Sequence, residues 1–157
     1  NAEPGLPEIA GTGDGVHVSD EGDAVIAGLL RELGYAPINL VTNAEALAGV
    51  WHRTTPDSSG GEVYREYTAD GTYRMGRSPE ELEAQPRVEG EFWFEGEQMV
   101  MRDVTALPSY DLCLQAGQVG RYTVERLANG HIRFVEVEDA CRDRARMLGT
   151  GEMEPVR

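Results

Sequence analysis

From Gly49 to Leu148 the hydrophobic and polar positions alternate in short runs broken by tight-turn signals, with almost no helical period between them. Three segments show the pattern most plainly: EYTADGTYR (66–74), FWFEGEQMVM (92–101) and YTVERLANGHIRF (122–134). Each sets aromatic or branched residues on both sides of Asp-Gly, Glu-Gly or Asn-Gly, the turn chemistry that joins adjacent antiparallel strands. Seven strands are predicted, at 50–55, 62–68, 72–77, 88–95, 98–104, 119–126 and 131–138, with an eighth from 38–41 or from 104–112. A meander of this length closes on itself, because closure removes exposed strand edges. The expected fold is mainly β, an antiparallel up-and-down barrel of about eight strands with a short N-terminal helix and a C-terminal helix.

The helical pattern lies outside the meander. Residues 1–18 are rich in Gly, Pro and acid and read as a tail. A short helix follows, capped by Ser19 or Asp20, with Ala24, Ile26, Ala27, Leu29, Leu30 and Leu33 on its apolar side and Gly34 as its stop. NAEALAG (43–49) suits a second helical turn capped by Thr42 or Asn43, SPEELEAQPR (78–87) an exposed one, and DACRDRARML (139–148) the last helix. The chain therefore divides into residues 1–45, a tail and short helix that could serve as a lid, and 46–157, the barrel with its C-terminal helix.

Side-chain alternation assigns the barrel faces. Val63, Arg65 and Tyr67 share one face, as do Tyr73 and Met75, Phe92 and Phe94, Met99 and Met101, Tyr122 and Val124, and Ile132 and Phe134. With these sets inward, the interior is aromatic and thioether-lined, and Glu66, Glu91, Glu95, Arg121, Glu125 and Arg133 face water. Trp93 falls on the outward side. Glu136, two places after Phe134, falls on the inward side with Arg65. A carboxylate and a guanidinium inside a small barrel must pair with each other, with a tyrosine or with a ligand, because an unpaired buried charge is costly.

Composition narrows the function classes. Hydrophobic residues make up 40% and charged residues 27% of the 157, which fits one globular domain. The net charge of −14 repels nucleic acid and anionic lipid, and no apolar run reaches the roughly 20 residues of a membrane helix. The residues at the start, NAEPGLPEIAGTGDG, lack the basic start and apolar centre of a signal peptide, so the chain is either cytoplasmic or already mature. All 14 basic residues are Arg, which leaves no lysine for Schiff-base chemistry. Two cysteines, Cys113 and Cys141, close a loop of about 28 residues if their ends of the fold meet; such a disulfide would imply a secreted or periplasmic location, and the alternative is two reduced, buried thiols.

Other chemistry is thinly represented. His17, His52 and His131 have no metal-ligand spacing, and neither a metal nor a cofactor is expected. The five serines fall in loops or linkers, none in a Gly-x-Ser-x-Gly elbow. GTGDG (11–15) is followed by VHVSD rather than by a helix after a strand, so it does not read as a phosphate cradle.

Gly49-Val50-Trp51 at the start of the first barrel strand, the meander after it, and the Cys- and Arg-bearing segment that leads into the last helix together resemble the lipocalins. The likeness covers roughly 49–148 and is closest to short bacterial calycins with strands of the form G-x-W, D-G-x-Y, G-x-Y-x-V and I-x-F. It implies that Trp51 closes the barrel base and that an Arg near the barrel end, Arg144 or failing that Arg142, packs across its ring. The chain departs from the family where a T-D-Y signature would stand, Ser109-Tyr110-Asp111 being the nearest match, and in its 45 N-terminal residues.

Two functions follow as expectations. The first is a binding protein that holds a small, largely apolar molecule in a cavity of a few hundred Å³, with Arg65 and Tyr67 or Tyr73 orienting a head group while Phe92, Phe94, Met99, Met101, Tyr122 and Phe134 hold the body. The alternative is an enzyme in the same container, of cyclase, isomerase or hydratase type, with Glu136 or Asp103 as acid or base and Tyr73 or Tyr122 as proton donor. An interaction protein for which the barrel is only a scaffold is a third possibility, with an exposed patch near Trp93 as its mark.

Overall fold

The computed structural model describes residues 39–157 apart from Ala116. The helix predicted within 19–34 and the lid role of residues 1–45 fall largely outside them. Nine strands form one antiparallel sheet: β1 (Asn39–Val41), β2 (Gly49–Arg53), β3 (Tyr64–Tyr67), β4 (Thr72–Gly76), β5 (Val88–Glu95), β6 (Gln98–Ala106), β7 (Gly120–Arg126), β8 (Ile132–Asp139) and β9 (Met153–Pro155). Neighbours along the chain pair in order from β2 to β8, β8 pairs with β9, and β9 returns to β2. The result is a closed eight-stranded up-and-down barrel.

The eighth strand of the ring is neither of the two segments expected for it. Asn39–Val41 is a strand, but it only pairs with Val124–Arg126 of β7, and 104–112 runs on from β6 into a loop and a 3₁₀ turn (Asp111–Cys113). Closure falls to Met153–Pro155, which is too short for alternation to reveal. Met153 is buried beside Ile132 and Arg53 and supplies its one core side chain.

Three short helices join the strands: α1 (Ala44–Leu47), α2 (Pro79–Ala84) and α3 (Arg142–Leu148). Asn43 caps α1 by accepting a hydrogen bond from the Ala46 amide at 2.9 Å, and Ser78 caps α2 by accepting one from Glu81 at 3.2 Å, ahead of Pro79 in the first turn. The turns at Gly71, Gly96 and Gly130 take positive φ, as the Asp-Gly, Glu-Gly and Asn-Gly pairs require.

Burial follows the alternation. Val63, Arg65, Tyr67, Tyr73, Met75, Phe92, Met99, Met101, Tyr122, Val124, Ile132 and Phe134 are buried, and Phe94 is partly so. Trp93 stands outside, its indole donating to Glu95 Oε1 at 2.9 Å. The rings of Tyr67, Phe92, Phe134 and Tyr122 lock the centre, Tyr67 on Phe92 and Tyr122 on Phe134 edge to face at 5.4 and 6.2 Å.

Two bulges break the pattern. The β5–β6 ladder slips at Glu89/Gly90, leaving Val104 without a partner, and the β7–β8 ladder slips at Arg121/Tyr122, leaving Val137 without one. Each extra residue points to water and changes which side chains face inward beyond it.

Candidate functional site

One end of the barrel carries a buried ionic network centred on Arg144. Its guanidinium donates through Nε to Asp139 Oδ2 and through Nη2 to Asp139 Oδ1, both at 2.8 Å. It also donates through Nη1 to Asp103 Oδ1 at 3.0 Å and through Nη2 to the Gln118 carbonyl at 2.6 Å. The Tyr73 hydroxyl donates to Asp103 and the Tyr122 hydroxyl to Asp139, so the network runs Tyr73–Asp103–Arg144–Asp139–Tyr122. Burial, followed by the neighbouring carboxylates, pushes both phenols up. Burial acts to lower Arg144, but Asp139 and Asp103 outweigh it and hold the guanidinium above its ordinary value.

Two glycines make room for this arrangement. Gly90 lies in register between Tyr73 and Asp103, and a Cβ there would overlap the Tyr73 ring and the Arg102 carbonyl. Gly120 lies opposite Asp139, and a Cβ there would overlap both the Asp139 carboxylate and the Tyr122 ring. In each case a tyrosine lies across a bare stretch of backbone to reach an aspartate.

Beside the network is a cavity of about 170 Å³. Barrel residues Arg65, Tyr73, Met75, Val88 and Asp103 form its floor. Its roof comes from the loop after β6 and from α3, with Tyr110, Leu112 and Met147 among the covering side chains. The Cys113–Cys141 disulfide ties these two roof elements together, joining the 3₁₀ turn to the residue that precedes α3. A disulfide fits an oxidising compartment.

Tyr110 sits at the wall under unusual control. Its hydroxyl accepts from Arg87 Nη1 at 2.6 Å and from Arg77 Nη2 at 3.3 Å. Burial acts to raise the phenol, but the two guanidiniums outweigh it and hold Tyr110 below its ordinary value. Arg87 is fixed in turn by Glu81 of α2, at 2.9 Å through both Nε and Nη2, and that contact draws the Glu81 carboxyl down to about 2. Ser109, just before Tyr110, is the one non-glycine among the described residues with positive φ, at 78°. Backbone strain of this kind costs on the order of 1 kcal/mol and gathers where a side chain must be aimed.

Arg65 is the unusual member of the floor. It is 4% exposed, its guanidinium engages the Tyr67 hydroxyl, and among the described residues no carboxylate pairs with it. Its guanidinium carbon lies 6.0 Å from the centroid of the Tyr73 ring. The Tyr67 hydroxyl is buried without a hydrogen bond of ordinary geometry. Burial pushes that phenol up, and the positive charge of Arg65 offsets part of the rise.

Several expected roles change. Glu136 does not meet Arg65: it is exposed and pairs with Arg142, and beyond the bulge at Val137 the inward position passes to Asp139 instead of Glu138. Arg144 does not pack on Trp51. The cation over that indole is Arg126, 5.6 Å from the ring centroid, while Trp51 Nε1 donates to the Leu47 carbonyl at 2.9 Å. Of the residues expected to hold a ligand, Arg65 and Tyr73 line the cavity, joined there by the acid–base candidate Asp103. Tyr67, Phe92, Phe94, Met99, Met101, Tyr122 and Phe134 pack with one another in the core. Sequence reading missed Tyr110, Met147 and Asp139. Gly120-x-Tyr122 and Asp139-x-Cys141-x-x-Arg144 were the available signals, since a glycine two residues from an inward tyrosine lies on the same face.

Among the described residues no cluster of His, Cys, Asp and Glu could hold a metal, and no helix is long and apolar enough to cross a membrane. Comparison with protein-family models, with curated proteins and with solved structures finds no match.

Proposed function

We propose that this chain is a lipocalin-like binding protein of the calycin kind, exported to an oxidising compartment, which holds one small, largely apolar molecule in the cavity beneath the disulfide-tied roof. The observation that carries the reading is the cavity itself: Met75, Val88, Leu112 and Met147 supply apolar wall and Arg65, Tyr73 and Tyr110 supply a few polar groups. Its size sets the class of molecule. A volume of about 170 Å³ is close to the roughly 150 Å³ of an apolar cavity that accepts benzene. It falls below the ~300 Å³ at which sites for drug-sized ligands begin. The occupant is therefore a single ring or a short branched chain, not a long-chain lipid.

Binding is favoured over turnover by where the acid–base candidates go. The Tyr73 hydroxyl is committed to Asp103, Asp103 to Arg144, and Glu136 lies outside the cavity. Nuclear magnetic resonance with a panel of one-ring and short-chain fragments tests the reading. Fragments should shift the methyl signals of Met75, Val88 and Met147 together, and Val88→Phe, which fills the space, should abolish the shifts. Fragments that at millimolar concentration leave these methyls unmoved, or that shift them equally in Val88→Phe, would overturn it.

A further inference from the structure

Resting on that reading, we infer that the molecule is an organic monoanion, a carboxylate on an apolar body of about one ring, with Arg65 as its counter-ion. The interior charges do not balance. Arg53, Arg65 and Arg144 are buried, against the buried Asp139 and the side chain of Asp103, which is 6% exposed. Three guanidiniums thus face two carboxylates. Arg144 takes both carboxylates, and Arg53 spends its donors on the Thr55 and Met147 carbonyls at 2.7 and 3.0 Å. Burial and then the charge of Arg65 push the Arg53 guanidinium down, as expected of two cations held close together in a dry interior.

A buried charge that meets only neutral groups still lacks a counter-ion, so a fold that keeps Arg65 inside gains from an anion that arrives from solution. A guanidinium offers a planar fork of donors that matches a carboxylate, which makes carboxylate the fitting partner. The phenols around Arg65 are neutral partners and not counter-ions: the Tyr67 hydroxyl engages the guanidinium from the core side, and the Tyr73 ring centroid lies 6.0 Å from its guanidinium carbon. A dianion such as a phosphate monoester fits poorly, because Asp103 forms part of the same wall and a single guanidinium cannot offset two charges beside it. The net charge of −14 over the whole chain makes the positive interior the exception rather than an extension of the surface.

Titration calorimetry at pH 7 on the oxidised full chain tests this with benzoate, its neutral isostere benzamide and the cation benzylamine. Benzoate should bind about 10 to 100 times more tightly than benzamide, the range of a charge-assisted hydrogen bond set against a neutral one. Benzylamine should show no binding. Arg65→Met, checked for folding by its thermal melt, should remove the preference while retaining benzamide binding, and Arg65→Lys should keep part of it. The wild-type comparison needs no variant, so it decides the matter even if Arg65→Met fails to fold. Equal binding of benzoate and benzamide overturns the anion assignment and leaves the cavity reading standing. A failure of all three probes, together with unmoved methyl signals across the fragment panel, overturns the cavity reading itself.

Discussion

Replacing Arg144 with Met isolates the energetic role of the network beneath the cavity. The Arg144 side chain is 2% exposed, and its partners Asp139 and Asp103 are 0% and 6% exposed. Methionine fills most of the same volume with an adaptable apolar chain, so lost packing is a minor part of the effect. The dominant loss is the cation shared by two buried carboxylates. Removing one partner of a buried ion pair costs about 3–5 kcal/mol. Some compensation remains, since Tyr73 and Tyr122 still donate and the Cys141 amide still donates to Asp139 Oδ1 at 2.7 Å. The expected cost is therefore near the low end, about 3 kcal/mol. Against a total stability of about 5–15 kcal/mol the variant still folds. With a urea slope of about 2 kcal/mol/M its midpoint falls by about 1.5 M, which equilibrium unfolding followed by tryptophan fluorescence will resolve. The triple variant Arg144→Met, Asp103→Asn, Asp139→Asn removes the carboxylate charges as well and should recover most of the loss. A cost below about 1 kcal/mol for the single variant, or a triple variant no more stable than the single, would show that Arg144 is not the counter-ion of these two carboxylates.

Three further outcomes follow from the same geometry. Replacing Cys113 and Cys141 by Ala opens a 28-residue loop, for which chain entropy predicts a loss of roughly 3–4 kcal/mol in the same urea assay; the roof should also loosen, seen as faster amide exchange across Asp111–Cys113 and α3. Gly120→Ala drives a methyl group into the Asp139 carboxylate and the Tyr122 ring and should cost about 1–3 kcal/mol, whereas Gly149→Ala, whose Cβ would meet only a carbonyl at 3.1 Å, should cost less. His52 is lowered by burial, but Glu62 and Glu154 outweigh that and hold it above its ordinary value. Its contribution is therefore full below about pH 6.5 and fades as pH rises through the folded-state value. The stability difference between wild type and His52→Gln should be larger at pH 6 than at pH 8, by no more than about 0.5 kcal/mol because Glu62 and Glu154 are about half exposed.

The barrel was legible because its signals are local. Turn glycines and strict alternation located seven strands and named the inward set from Val63 to Phe134, and those residues are buried except Phe94, which is partly so. What stayed hidden depends on pairing between distant segments. Met153–Pro155 is too short to carry a period, and only its register with Trp51–Arg53 and Ile132 makes it the closing strand. The bulge at Val137 put Asp139 inward where alternation would place Glu138, which could not be foreseen from β8 alone. Arg126 rather than Arg144 meets Trp51, since Arg144 is held by Asp103, Asp139 and the Gln118 carbonyl. Tyr110 was missed because its setting is made by Arg77, Arg87 and Glu81, which no motif joins.

The most direct test is a crystal of the oxidised protein soaked with 4-bromobenzoate, with the bromine located by anomalous scattering. A single peak should appear among Met75, Val88 and Met147, with the carboxylate in contact with Arg65. A bromine bound elsewhere, or a cavity left empty when calorimetry shows saturation, would contradict it.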